Sequence, residues 1–337
     1  MSIKPLLTLI KSNQLLTLSG SNALLKQFYQ LNFLVAAKEG GLFELLKDGP
    51  KEFGQLAEVY CADDKAREAL EAWLRLGVRL GYLRLGARGY ALKGLAKRLA
   101  LPRNDAALAL LEEAAGLHSK LISHTLTKLR KRELWTLEDQ DGEIIARSSR
   151  IMEAFQAEAI ERFFPASGAA RLLEIGCGSG VYIRYAANRN PSLTALGLEL
   201  QPEVADFARR NIVEWCLDGR VKIEVGDVRR KTPEERFNIV TLYNNIYYFP
   251  VESRVSLLEH IRAFLEPGGF LLLITCCTGG SLGMEVLNLW GAATLNCGRL
   301  PGKDELVGQL RSAGFKNVQA IRLIPGEALF AFKAVPG

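Results

Sequence analysis

One stretch of ten residues constrains this chain more than any other: Leu172-Leu-Glu-Ile-Gly-Cys-Gly-Ser-Gly-Val181. A run apolar enough for a buried strand passes directly into Gly176, Gly178 and Gly180 and then into a helical pattern. Glycine at alternate positions lets the backbone turn sharply and lets a ligand lie against main-chain N–H groups at the start of the helix. A dinucleotide fingerprint of the form GxGxxG would place a further glycine at position 181, where Val181 stands. The residues that follow therefore decide whether this loop binds anything.

From Arg171 onward, short β-rich runs alternate with helical ones. The runs are Leu172 to Ile175, Ala195 to Leu198, Val221 to Val225, Asn238 to Leu242 and Phe270 to Cys276. Such alternation predicts a parallel sheet covered by helices. Two last runs, Val318 to Leu323 and Ala328 to Phe332, are joined so closely around Pro325-Gly326 that they must form an antiparallel hairpin. The second run of the series ends in Glu199, an acid placed beside the glycine loop to accept hydrogen bonds from the two hydroxyls of a ribose. The third ends in Gly226-Asp227, an acid able to accept from an adenine amino group. The fourth runs into Leu242-Tyr-Asn-Asn-Ile-Tyr-Tyr-Phe-Pro250, polar groups at the crevice where the strand order would reverse. These features converge on one bound nucleoside.

The front of the chain is of another kind. Residues 22 to 47 carry apolar side chains at helical spacing with Gly40 and Gly41 as a natural cap, followed by a short helix over Leu42 to Leu46. Phe53 to Tyr60 reads as a helix, and Asp63 and Asp64 can cap a longer one from Lys65 to Leu80. Residues 81 to 92 alternate around a glycine-bearing turn, the signal of a β-hairpin. Three helices and a hairpin in that order predict a winged-helix module. Residues 105 to 165 carry helical stripes and no strand signal. The resulting organisation is a winged-helix module at 1–104, a helical connector at 105–165 and an α/β domain at 166–337.

Composition removes several function classes. A chain of 337 residues, 48% hydrophobic and 24% charged, is neither a disordered tail nor a mini-protein. Its most apolar stretch, Phe270 to Cys277, is far short of the roughly 20 residues of a membrane-spanning helix. The apolar patch at Leu6 to Ile10 is broken by Lys11, Ser12 and Asn13, so no export signal and no membrane association are expected. Six cysteines without CxxC spacing suit a reducing cytoplasm, and with only three histidines no metal site is expected. The 43 basic and 37 acidic residues give a net charge of +6, which permits an anionic partner without demanding one. Residues 72 to 104 hold no acid but carry Arg75, Arg79, Arg84, Arg88, Lys93, Lys97, Arg98 and Arg103. The bland reading of this basic strip is a solvated surface. The alternatives are a nucleic-acid surface or a dock for an acidic carrier protein. The helix meant to read bases presents Leu70, Trp73, Leu74, Leu76, Val78 and Leu80, a face suited to packing.

Taken together, residues 171 to 277 resemble the class I S-adenosylmethionine-dependent methyltransferases, whose sheet is Rossmann-like and seven-stranded. The stretches GLFELLKDGP, LGYLRLG and GYALKGLAKRL are similar to the mainly helical N-terminal winged-helix dimerisation domain of small-molecule O-methyltransferases, including natural-product enzymes. The resemblance implies that Glu174, Gly176, Gly178 and Gly180 surround the methionine part and ribose of S-adenosylmethionine. It also implies that Glu199 holds the ribose hydroxyls, Asp227 and Val228 bracket the adenine, and Asn244 lies near the amino acid end. It further implies that 1–104 is the dimerisation domain of a homodimer, that 105–165 contributes to the pocket of a small-molecule acceptor, that 166–337 is the catalytic domain, and that the chain has a place in secondary metabolism.

The chain departs from that pattern at the base. Where plant-type relatives keep a histidine after the fourth strand, this chain has Tyr247, with Tyr248 beside it. A tyrosine with an ordinary pKa near 10 is a poor base at neutral pH. Three options stay open: a base from elsewhere such as His118 or His124, an acceptor already nucleophilic or ionised, or catalysis by positioning, which an in-line displacement permits. A relative that keeps the cofactor site without transferring methyl, as a decarboxylase or hydroxylase, also stays open. The stretch Thr278 to Gly298 is expected to fold over the active site and to help select an acceptor with a sizeable apolar part.

Overall fold

The computed structural model describes residues 3–337, and the chain divides into two compact units with the boundary between Gly116 and Leu117. The segment read as a connector is thus shared between them: 105–116 packs with the first unit and 117–165 with the second.

The first unit opens with α1 (Lys4–Lys11) and α2 (Gln14–Glu39), continues through α3 (Leu42–Leu46), α4 (Phe53–Tyr60) and α5 (Asp64–Leu80), and ends its wing with β1 (Leu83–Gly86) antiparallel to β2 (Gly89–Leu92). Asp63 caps α5 by accepting a hydrogen bond from the Ala66 amide at 2.7 Å. This is the winged-helix order. Phe33, Leu42, Leu46, Leu56, Leu74, Leu83 and Tyr90 share one buried cluster, each such side chain worth about 1.5 to 3 kcal/mol of removed apolar surface. Two expectations are corrected. Helix α2 begins eight residues earlier than periodicity indicated, at Gln14, because its first half is apolar on more than one face. Leu76 and Val78 of α5 point outward, while Leu74 is buried and Leu70, Trp73 and Leu80 pack against the core.

The second unit is built on seven strands: β3 (Ala170–Ile175), β4 (Leu193–Glu199), β5 (Val221–Val225), β6 (Phe237–Tyr243), β7 (Leu265–Cys276), β8 (Phe315–Arg322) and β9 (Leu329–Pro336). Their order across the sheet is β5-β4-β3-β6-β7-β9-β8, parallel except for β9, which runs antiparallel to both its neighbours. Nearly every residue of β3, β4 and β6 is buried, as a sheet covered on both faces requires. Strands β3 to β5 build outward in one direction and the chain then returns to place β6 against β3. The crevice opened by that reversal lies at the carboxyl ends of the strands, the place where open α/β sheets hold ligands. Among the described residues no helix is long and apolar enough to cross a membrane, and no group of three or more metal-ligating side chains comes together.

Candidate active site

A cavity of about 570 Å³ opens at this crevice. Its lining comes from the tips of β3, β4, β5 and β6, from residues 136 to 150, and from Leu295, Asn296 and Cys297. Gly176, Gly178, Glu199, Asp227, Val228, Asn244 and Tyr247 all line it, whereas Glu174 and Gly180 do not.

The glycine loop explains its own composition. Gly176 and Gly178 have φ of +66° and +53°, a region that side chains other than glycine rarely adopt. The amides of Gly176 and Cys177 both donate to the Leu198 carbonyl, at 2.7 and 3.1 Å, which pins the loop to the end of β4. A Cβ at Gly176 would stand 2.6 Å from the side-chain nitrogen of Asn245, while one at Gly178 would meet no protein atom within 4 Å and would project into open space. Gly180 caps the helix Val181–Arg189 and faces Ile212 and Ala208.

Glu199 ends β4 with both oxygens engaged. Oε2 accepts from the Gly178 amide at 3.0 Å and Oε1 from the Gln201 amide at 3.1 Å. Asp227 is gripped by the side chain of Arg229, whose guanidinium holds its carboxyl below the usual carboxylate range. Val228 is buried behind it. Glu174 is buried one residue before the end of β3, with no hydrogen-bond partner for either oxygen. Burial pushes its carboxyl well above the usual range, with the Thr241 hydroxyl opposing that shift. This acid is not in the cavity wall.

Asn244 and Asn245 follow β6. Asn244 takes φ of +50° and its amide donates to the Ile274 carbonyl at 2.7 Å. Asn245 donates its side-chain nitrogen to the Ile175 carbonyl at 2.6 Å, tying the tip of β6 to the tip of β3. The side-chain oxygens of both are buried and accept no hydrogen bond from the protein. Buried orphan acceptors cost about 1 to 3 kcal/mol each unless a ligand or water completes them. With the open space at Gly178, they give the wall the acceptor chemistry that an ammonium-bearing, hydroxyl-bearing ligand such as S-adenosylmethionine matches. The residues present fit that group.

The other end of the cavity is aromatic. Tyr247 stacks on Tyr248 at 5.3 Å between ring centroids, and Trp290 meets Tyr248 edge-on at 5.0 Å. This wall is braced by a fully buried arginine. Arg254 donates through Nε to the Phe249 carbonyl at 3.1 Å and through Nη2 to the Arg299 carbonyl at 2.6 Å, while the Gly298 amide donates to the Tyr247 carbonyl. Burial lowers the Arg254 guanidinium to about 10, still cationic at neutral pH. Cys297 lines the same end, its thiol pushed up to about 11 by burial. Of the stretch 278–298 only residues 295 to 297 reach the cavity. Opposite it, Trp135 and Thr294 pair through a backbone bridge, with the Trp135 amide donating to the Ala293 carbonyl at 2.9 Å. No described histidine lines the cavity. His124 is exposed beside Ser123 and the Lys120 carbonyl, and His260 faces the Val228 and Lys231 carbonyls through Nε2. Arg229, Asn245 and Arg254 were not singled out from the sequence. An Asp-x-Arg spacing and a doubled asparagine were visible there, but no local signal marked Arg254.

Comparison with known proteins agrees with this geometry. Residues 172–269 match the family described as methyltransferase domain. Carboxy-S-adenosyl-L-methionine synthase of Chromohalobacter salexigens is 32% identical over 106 residues, a match spanning 31% of this chain and only 39% of that protein. Demethylspheroidene O-methyltransferase of Rhodobacter capsulatus is 25% identical over 309 residues, covering 88% of this chain and 77% of that one. Among solved structures, that of the mitomycin 7-O-methyltransferase MmcR superposes with a TM-score of 0.80 at 20% identity, covering 97% of this chain and 100% of the other. Residues 172–269, within the second unit, thus match a methyltransferase domain. The whole chain has the fold of O-methyltransferases that carry an N-terminal helical unit.

Proposed function

We propose that this protein transfers the methyl group of S-adenosylmethionine to a small-molecule acceptor of secondary metabolism, an acceptor with a substantial apolar part. The observation that carries this reading is the single cavity that joins a glycine loop and two strand-tip acids to an aromatic wall. S-adenosylmethionine, when bound, supplies a methyl group activated on sulfur.

The chain's own residues then have distinct tasks. Gly176, Gly178 and Gly180 shape the loop, with Glu174 buried behind it. Glu199 takes the ribose hydroxyls while bracing the Gly178 amide, and Asn244 lies toward the amino acid end. Asp227 and Val228 frame the nucleobase. Tyr247 orients the acceptor. With burial raising the Cys297 thiol and no histidine in the described lining, the wall favours alignment of an acceptor that brings its own nucleophile over deprotonation by the enzyme. Isothermal titration tests the reading: S-adenosylhomocysteine should bind and NAD should not. Turnover should add the mass of one methylene to the acceptor. Binding of S-adenosylhomocysteine with no methyl transfer to any of a chemically diverse acceptor set would favour a decarboxylase- or hydroxylase-like relative.

The proposed assembly is a homodimer. Leu16, Leu18, Leu24, Phe28 and Tyr29 of α2 are exposed, and of its 26 residues only Phe33, Leu34, Val35 and Ala37 are buried. So much unburied apolar surface is what a partner subunit removes from water. Light scattering should give twice the chain mass of 37.2 kDa, and a stable monomer at micromolar concentration would overturn this. Six free thiols support a cytoplasmic site of action. All eight residues of the basic strip are exposed, as a solvated surface requires, and the exposed Leu76 and Val78 beside them speak against sequence-selective nucleic-acid binding; an anionic or carrier-tethered acceptor is the partner the strip's charge would suit.

A further inference from the structure

Asp227 invites the role of reading the amino group of an adenine, but its carboxylate is already committed. Oδ1 accepts from the Arg229 amide and from Arg229 Nε, each at 2.9 Å. Oδ2 accepts from Nε at 2.9 Å and from Nη2 at 2.7 Å. Three N–H groups of Arg229 supply these contacts, its amide, Nε and Nη2, with the one Nε hydrogen shared between both oxygens, so most of the roughly four lone-pair sites of the carboxylate are engaged. Arg229 thus holds the edge of the acid that faces it, and the pair presents the flat face of the guanidinium to a ligand.

That face is placed for contact. The Arg229 side chain is 51% exposed against 15% for Asp227, and both line the cavity beside Val228 and Leu200. Its guanidinium carbon lies 5.7 Å from the centroid of the Phe249 ring, which lines the cavity too. A guanidinium is planar and weakly hydrated, so it stacks on aromatic faces, and a bidentate partner removes the freedom it would otherwise lose on doing so. Pairing with Asp227 also leaves the patch formally neutral, which matters where the ligand carries a sulfonium and an ammonium.

We propose that Arg229 is the base-stacking residue of the cofactor site and that Asp227 is its positioning residue, a division of labour that rests on the cavity being the S-adenosylmethionine site. Stacking engages the π-face of a purine and is indifferent to the substituent at its edge. An Asp227 that read the exocyclic amine would instead reject a base carrying a carbonyl there.

The test is isothermal titration of the full chain with S-adenosylhomocysteine and with S-inosylhomocysteine, which differ at that edge. The wild type should bind both with similar affinity. Arg229→Met should weaken both by about tenfold, and Arg229→Lys should do the same, because it keeps the charge and loses the plane. Asp227→Asn should weaken both by less, and the double variant should be no worse than Arg229→Met. Unchanged melting temperatures separate these losses from misfolding. Selective loss of the adenosyl ligand in Asp227→Asn, with Arg229→Met neutral, would overturn the assignment. A wild type that binds neither nucleoside would overturn the cofactor reading itself and this assignment with it.

Discussion

The two ends of the cavity are made of different material. At the tips of β3 to β5 the wall is backbone and acid: a glycine loop, Glu199 holding the Gly178 amide, and Asp227 locked to Arg229. Toward Tyr247, Tyr248 and Leu295 it is ring and hydrocarbon, with a thiol that burial pushes up to about 11. The first end is braced by its polar groups, Glu199 holding the Gly178 and Gln201 amides and Asp227 held by Arg229. The second is stiff for another reason, the buried Arg254 that ties the carbonyls of Phe249 and Arg299. Binding specificity at one end is written in hydrogen bonds. At the other it is written in shape.

The largest effect that could break this contrast is expected at Gly178. Valine there would take a strained φ and send its side chain into the space open to ligand, so affinity for S-adenosylhomocysteine should fall by about a hundredfold or more. Calorimetry showing near-normal binding would mean that the loop is not the cradle.

A smaller loss is expected for Glu199→Gln. It keeps the shape and removes a charge-assisted acceptor worth about 1.5 to 3 kcal/mol, and the loss should appear in cofactor affinity rather than in acceptor KM. Gly176→Ala sharpens the comparison further, since its Cβ would press on the amide of Asn245. Affinity should drop by roughly tenfold and should recover in part when Asn245→Ala is added. No recovery would show that the φ of Gly176, and not its neighbour, demands glycine.

The mildest change should come from the aromatic end. Tyr247→Phe deletes one hydroxyl, about 0.5 to 1.5 kcal/mol if it only orients the acceptor, so kcat should stay within about tenfold of the wild type at unchanged cofactor affinity. A loss of about a thousandfold would instead identify a proton-transfer role. Across acceptor analogues the pH profile should follow the acceptor's own pKa.

The glycine-loop end of the cavity was legible in the sequence because its requirements are local. A strand followed by alternate glycines, and acids at the ends of the next two strands, are fixed by chain order alone once the sheet is parallel. The order of helices and hairpin in the first unit was legible for the same reason, through caps such as Asp63 and turns such as that at Gly89. Periodicity failed at the start of α2, where apolar side chains occupy several faces and no single stripe stands out.

What chain order could not reveal are the relations between groups distant in sequence. Glu174 looked like a wall residue, yet the packing of β6 against β3 buries it beside Thr241 and outside the cavity. Asn245 gained its part from a hydrogen bond spanning 70 residues, and Arg254 from one spanning 45. Asp227 was seen as an acid at a strand tip, but most of its capacity to accept is taken by a neighbour two residues away in a turn whose geometry the letters do not specify. Residue type and spacing set the chemistry each position can offer, while burial and long-range contact decide how much of it is left over for a ligand.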